Sequence, residues 1–330
     1  MKLLNVSGSP HVHSTESTQK IMWRVNLALV PMLLVGLCYF GLNALLISLV
    51  SVASCLLFQW LIEKFILKVP SNIWDGSAII TGLLLAFNVP ATDAMVWLVI
   101  IGALVAIGVG KMAFGGLGKN PFNPALVGRV FMLISFPVQM TTWPNNIHEG
   151  IFPMDVDAST GATPLGLLKE TLMNGGTVQD AMGQFPPLGE LLLGHMAGSF
   201  GEVSAIAVLV GAIYLLCRKV ISWHIPVSFI GTAFIFSGIL WLVDPTSFLD
   251  PIRTILSGGL MLGACFMATD MVTSPMAKSG QLIFGVGCGL LTILIRNWCA
   301  YPEGVSFAIL IMNSVTPLIN RCCKPARFAK

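Results

Sequence analysis

The stretch Asp155-Val156-Asp157-Ala158-Ser159-Thr160-Gly161-Ala162-Thr163-Pro164-Leu165 lies in the longest polar interval of an otherwise apolar chain. That interval runs from Gln139 to about Glu202 and divides the sequence into two apolar halves. Asp, Ser, Thr, Gly and Pro are ordinary turn residues, so one reading of the stretch is a surface turn. The other makes Thr163 a modification site. Small neighbours leave its hydroxyl accessible, Gly161 allows the backbone angles that a modifying enzyme's cleft demands, and Pro164 stiffens the chain after it.

Working outward, the 330 residues are 55% hydrophobic and only 10% charged, with a mean hydropathy of +0.83. Soluble domains carry about 25% charged residues. Nearly charge-free runs of about 18 residues or more recur, which implies an all-α polytopic membrane protein. A net charge of +3 is too small to suggest nucleic-acid binding. The eight cysteines show no Cys-x-x-Cys spacing. Cys38, Cys55, Cys217, Cys265, Cys288 and Cys299 lie in or beside apolar runs as small hydrophobes, and Cys322 and Cys323 are adjacent, so the chain alone holds no iron–sulfur cluster. Roughly twenty polar residues precede the first apolar run, unlike a cleavable signal.

The apolar runs predict about ten spans. Five lie near 21–39, 42–62, 78–89, 94–109 and 124–138, and five near 203–216, 225–243, 255–269, 282–295 and 305–319. The expected divisions are a tail (1–20), a first membrane half (21–138), a polar loop (139–202) with an amphipathic piece near 188–193, a second membrane half (203–320) and a short tail (321–330). With the N-terminus inside, 15 of the 18 Lys and Arg fall on the inner face, and only Lys169, Arg253 and Arg296 fall outside. That bias sets both termini in the cytoplasm and Thr163 outside. The outer interval also carries Glu149, Asp155, Asp157, Glu170, Asp180, Glu190 and Glu202. Five spans is an odd number, so any duplicated halves run in opposite senses. Gly82-Leu83-Leu84-Leu85-Ala86 and Gly259-Leu260-Met261-Leu262-Gly263 echo each other in the short third span of each half, the pattern of inverted repeats with a midplane site.

Three motifs carry a family resemblance. Thr160-Gly161-Ala162-Thr163-Pro164-Leu165 resembles the flavinylation motif [Ser/Thr]-Gly-Ala-Thr, in which the last Thr carries FMN through a phosphoester. Gly115-Gly116-Leu117-Gly118-Lys119-Asn120-Pro121-Phe122-Asn123-Pro124-Ala125-Leu126 resembles the signature of the D subunits of Rnf (Rsx) electron-transport complexes. The B subunits of sodium-pumping NADH:quinone reductases share it. Ser7-Gly8-Ser9-Pro10-His11 followed by Ser14-Thr15-Glu16-Ser17-Thr18, and the short tail before the first span, favour the Rnf branch. The resemblance covers essentially the whole chain.

It implies a ten-helix, urea-transporter-like fold of two inverted five-helix halves in the cytoplasmic membrane of a bacterium or archaeon. It further implies FMN on Thr163, attached by a flavin transferase acting outside, with Thr160, Gly161 and Ala162 as the rest of the motif. Asn120 and Asn123 would neighbour a non-covalent riboflavin. Electrons from ferredoxin or NADH would pass through these flavins, coupled to movement of Na⁺ or H⁺. Partner subunits of the A, B, C, E and G types would supply the nucleotide and cluster sites.

From residue chemistry alone, Asn120 and Asn123 are equally a helix-entry loop with Asn as cap and Pro in the first turn. Gly115, Gly116 and Gly118 fail the Walker spacing, and Gly108-Val109-Gly110-Lys111-Met112-Ala113 ends a span rather than following a strand. Those glycines are expected to allow close helix approach. Arg129, Asp270, Arg296 and Asp93 are ionisable groups in or beside spans and hence functional suspects, with interfacial snorkelling as the plainer reading. Arg129 is placed to neutralise a reduced flavin. His11 and His13 lie in a polar tail and suggest no metal site. Trp23, Trp143, Trp223, Trp241 and Trp298 are expected as interface anchors. A flavin-free channel for a small neutral solute, on the same inverted-repeat fold, is the competing reading.

Overall fold

A computed structural model describes residues 16–144, 160–194, 196–201, 204–299, 301 and 303–324. The tail motif with His11 and His13, much of the Asp155–Leu165 stretch, and Glu149 and Glu202 lie outside the described residues.

Helix α1 (Thr18–Leu61) begins at Ser17, whose hydroxyl accepts from the Lys20 amide at 3.2 Å, and it ends in a π-helical turn, Ile62–Leu67. It is not one rod. Gly41 has φ 62° and ψ −143°, a conformation glycine adopts freely. Asn26 Nδ2 donates to the Gly76 carbonyl at 3.1 Å, while Lys111 Nζ bridges Gln59 Oε1 (2.9 Å) and Ser77 Oγ (2.6 Å). A straight helix would hold Asn26 and Gln59 about 50 Å apart, at 1.5 Å per residue. Both reach the neighbouring Gly76 and Ser77, so the helix folds back at Gly41 into two arms, which match the first two predicted spans.

The outside of these arms is oily and the inside is small and polar. Leu34, Leu49 and Leu57 are exposed, whereas Asn26, Gly36, Ser48, Ser51, Ser54 and Gln59 are buried. Water cannot favour that inversion, but lipid does, since helices in a bilayer associate through small and hydrogen-bonding residues. Among the described residues, five helices are long and apolar enough to cross a membrane, counting α1 with its extension as one. The others are α3 (Met95–Leu104, continued to Phe114), α10 (His224–Val243), α13 (Lys278–Trp298) and α14 (Val305–Cys322). Shorter apolar helices fill the remaining predicted intervals: α2 (Ser77–Ala86), α4 (Pro124–Ser135) and α9 (Ala205–Cys217).

The third interval of each half is broken, as the Gly-rich echo implies. A 3₁₀ turn (Ile73–Asp75) precedes the ten-residue α2. In the second half, α11 (Pro251–Leu256) stops at Ser257, and α12 (Leu260–Leu262) resumes after Gly258 at φ 66°. A Cβ on Gly211 of α9 would lie 2.3 Å from the Ala28 carbonyl oxygen of α1, so the two halves meet backbone to backbone. Phe87 and Phe200 pack edge to face at 5.5 Å in one core shared by both halves.

Between the halves, after a short α5 (Pro137–Thr141), β1 (Trp143–Pro144) pairs antiparallel with β2 (Thr160–Gly161), Trp143 opposite Gly161. Then come α6 (Pro164–Met173), α7 (Val178–Met182) and α8 (Leu188–Leu193). Two expectations are corrected. Trp143 is buried beside the flavinylation-type motif and is no interface anchor, although Trp23, Trp223, Trp241 and Trp298 are exposed. Gly115, Gly116 and Gly118 do not bring helices together: all three have φ near +90 to +100° and shape the loop into Asn120.

Candidate functional site

Thr163 is the N-cap of α6. Its Oγ accepts from the Gly166 amide at 3.1 Å, and Pro164 takes the first helical position, where a missing N–H costs nothing. The hydroxyl is not on an open turn: Thr163 is only 8% exposed, because Met196, Gly198, Gly258 and Glu303 close around it in a small cavity. The motif's Gly161 is half-buried, Ala162 is exposed, and the Thr160 backbone lies in β2. An ester on Thr163 Oγ would put a phosphate at the N-terminus of a ten-residue helix, where the macrodipole and first-turn N–H groups favour negative charge. The nearby Glu303 carboxylate does not spoil that fit, because Arg129 neutralises it.

Asn120 and Asn123 share a second, larger cavity, whose wall also includes Lys111, Asp270, Met22 and Phe266. Asn123 caps α4, its Oδ1 accepting from the Ala125 amide at 3.1 Å, and its Nδ2 reaches the Met267 carbonyl at 3.2 Å in the other half. Asn120 Nδ2 donates to the Phe122 carbonyl at 2.9 Å. Each carboxamide has two donor hydrogens and two lone pairs, so these bonds leave both with capacity toward the cavity. An apolar cleft with a few convergent amides, one cation and one carboxylate has the chemistry to hold a flat heteroaromatic ring.

Arg129 does not line that cavity. From the middle of α4 its guanidinium donates to Glu303 Oε2 and Ser306 Oγ at the head of α14, making a buried ion pair between the halves. Asp93 is exposed; Asp270 accepts from Thr273 Oγ at 3.2 Å; Arg296 is buried.

Sequence reasoning missed a buried network at the break before α2. Lys111 is 2% exposed and bonds Gln59 and Ser77. Gln59 Nε2 in turn donates to Glu63 Oε1 (2.9 Å), and Ser77 Oγ donates to Asp75 Oδ1 (2.8 Å). Lys111 was legible as an inner-face charge. The signal for burial was its position inside the apolar run Met95–Phe114, where a lysine needs a partner. All eight cysteines are free, and no group of His, Cys, Asp or Glu among the described residues is arranged to hold a metal.

Apolar helices with outward-facing leucines, a buried ion pair and two broken helices define a helical multi-pass membrane protein. Its sequence gives the lineage: the chain belongs to the NQR2, RnfD, RnfE family, whose model it matches over residues 5–329. It is 44% identical to the D subunit of the proton-translocating ferredoxin:NAD(+) oxidoreductase complex of Clostridium ljungdahlii, over 99% of this chain and 96% of that relative. It is 43% identical to the D subunit of the Na(+)-translocating ferredoxin:NAD(+) oxidoreductase complex of Acetobacterium woodii, over 97% and 94%. The D subunit of the ion-translocating oxidoreductase complex of Escherichia coli is 38% identical, over 98% and 97%.

Proposed function

We propose that this chain is the D-type membrane subunit of an ion-translocating ferredoxin:NAD⁺ oxidoreductase, carrying FMN as a phosphoester on Thr163 and a non-covalent riboflavin between Asn120 and Asn123. The observation that carries the reading is the station of Thr163. Its side-chain oxygen caps α6 at a helix end suited to an anion, within a motif of the flavinylation type. The flavins supply one-electron redox chemistry when bound, and the protein contributes binding, orientation and electrostatics. In that division Thr163 tethers, Asn120 and Asn123 offer amide bonds, and Lys111 offers a hydrogen-bond donor in the same cavity. Arg129 balances the charge of Glu303 beside Thr163 and braces the two halves.

Ten crossings in two inverted halves, both termini in the cytoplasm and Thr163 outside, complete the reading. The fold-back at Gly41, the paired breaks at α2 and α11/α12, and the 15-to-3 charge split support it. The subunit works with A, B, C, E and G type partners after a flavin transferase has modified it. The coupling ion is Na⁺ or H⁺; relatives of nearly equal identity are named for each.

The test is peptide mass spectrometry of the complex from its native host. The peptide containing Thr163 carries the mass of FMN, and the Thr163→Asn variant, which keeps a capping side chain without a hydroxyl, lacks both the mass and the fluorescent gel band. An unmodified peptide in the wild-type complex overturns the proposal.

A further inference from the structure

We infer that the large cavity on the far side of α6 receives the ring system of the flavin tethered at Thr163, and that Arg296 is the positioning residue that sets its electrostatics. This rests on the assignment of FMN to Thr163. The cavity at Thr163 itself has room for about one water molecule, too little for a tricyclic ring with its side chain. The neighbouring cavity is about 440 Å³ and opens to solvent. Helix α6 is the shared wall: Leu165 lines both spaces, and Leu168 and Leu172 continue along the larger one. From Thr163 to Leu172 the helix rises about 14 Å.

The two spaces adjoin at a pinch formed around a glycine. A Cβ on Gly258 would stand 3.0 Å from Leu165 Cδ1 and 3.1 Å from Arg296 Nη2, so Gly258, Leu165 and Arg296 meet there. Beyond the pinch the walls combine an aromatic pair, Phe248 and Trp298 at 6.0 Å, with the Asn297 amide and the hydroxyls of Ser237 and Thr254. Arg296 is held in place by the Thr254 carbonyl (2.6 Å) and the Ser257 carbonyl (3.0 Å). Lys169 is the second cation on the wall, and among the described residues no carboxylate lines it. A positive, mostly apolar cleft beside a tethered flavin favours the ring after it has gained electrons, since reduction adds negative charge where solvent screening is weak.

The experiment is a redox titration of the purified complex, read as a difference against Thr163→Asn, which isolates the tethered flavin. In Arg296→Gln that flavin stays attached by mass, but its preference for the reduced state falls at least tenfold, about 59 mV for a one-electron step. Arg296→Lys gives a smaller shift. Because Arg296→Gln also removes bonds to Thr254 and Ser257, Leu172→Phe tests the cavity independently. It crowds the cleft from α6, and iodide quenching of the flavin fluorescence rises several-fold. An unchanged potential in assembled Arg296→Gln complex, or unchanged iodide access in Leu172→Phe, overturns the inference while leaving the tether standing. Absence of FMN mass in the wild type removes the tether itself.

Discussion

Lys111 and Arg296 hold matching stations in the two halves. Each sits near the C-terminal end of the fourth helical interval of its half, and each donates to the break in the third: Lys111 to Ser77 at the head of α2, Arg296 to Thr254 and Ser257 between α11 and α12. A broken helix leaves polar backbone inside the bilayer, tolerated only where protein groups satisfy it. In the second half Arg296 does so through two backbone carbonyls, whereas in the first Lys111 bonds the side-chain oxygens of Gln59 and Ser77.

The two cations differ in what their loss exposes. Lys111 serves a network that ends in two buried carboxylates, Glu63 and Asp75. Replacing Lys111 with Met leaves that negative charge buried without its counter-ion, a change that typically costs about 3–5 kcal/mol. The expected result is a large drop in melting temperature of the detergent-solubilised protein. Combining Lys111→Met with Glu63→Gln and Asp75→Asn recovers most of the loss. A melting temperature unchanged by Lys111→Met alone refutes the ion-pair account.

Capping by Thr163 predicts a structural effect separate from any modification. Thr163→Ala removes the acceptor for the Gly166 amide, worth about 1 kcal/mol, whereas Asn at an N-cap serves as well as Thr. Hydrogen exchange at Gly166 should therefore speed up about fivefold in Thr163→Ala and stay near wild type in Thr163→Asn. Equal protection in both variants would show that the cap does not hold the first turn of α6.

How much of this was legible in the sequence depends on whether the signal was local. The fold-back at Gly41, the short α2 and the interruption at Gly258 coincide with glycines between apolar runs, so hydropathy and glycine placement located them. The loop glycines Gly115, Gly116 and Gly118 were misread, because a glycine's φ is not written in its neighbours. The partners of buried charges were not legible at all. Arg129 meets Glu303 across 174 residues, and Lys111 meets Gln59 across 52; nothing in a one-dimensional pattern joins them. For the same reason the burial of Thr163 escaped notice, since its cover comes from Met196, Gly258 and Glu303.

Arg129 and Glu303 form the buried link between α4 and the entry to α14, with side chains 5% and 11% exposed. Removing one partner strands the other's charge, so Arg129→Met or Glu303→Leu alone is expected to cost about 3–5 kcal/mol. The double variant replaces both charges with apolar groups and is expected to be much closer to wild type than the sum of the singles. A thermal-stability cycle over the four proteins checks this; strict additivity would mean the pair carries no coupling.

The Asp180 carboxylate accepts from the Thr177 amide (2.7 Å) and hydroxyl (2.8 Å), which hold it below the ordinary aspartate value of 3.8. Asp244 is lowered likewise by the Thr246 and Ser247 hydroxyls and the Thr246 amide. The two clasps are joined, because the Val178 amide donates to the Thr246 carbonyl at 2.8 Å. A carboxyl whose folded value is depressed binds fewer protons folded than unfolded, so its stabilisation is present above 3.8 and is lost as pH falls through the folded value. Protection of the Val178 amide, corrected for intrinsic exchange, should be flat above the ordinary aspartate value and fall below it. Asp180→Asn should weaken protection at neutral pH and flatten the acid response. If wild type and Asp180→Asn lose protection in parallel on acidification, the clasp is not what titrates.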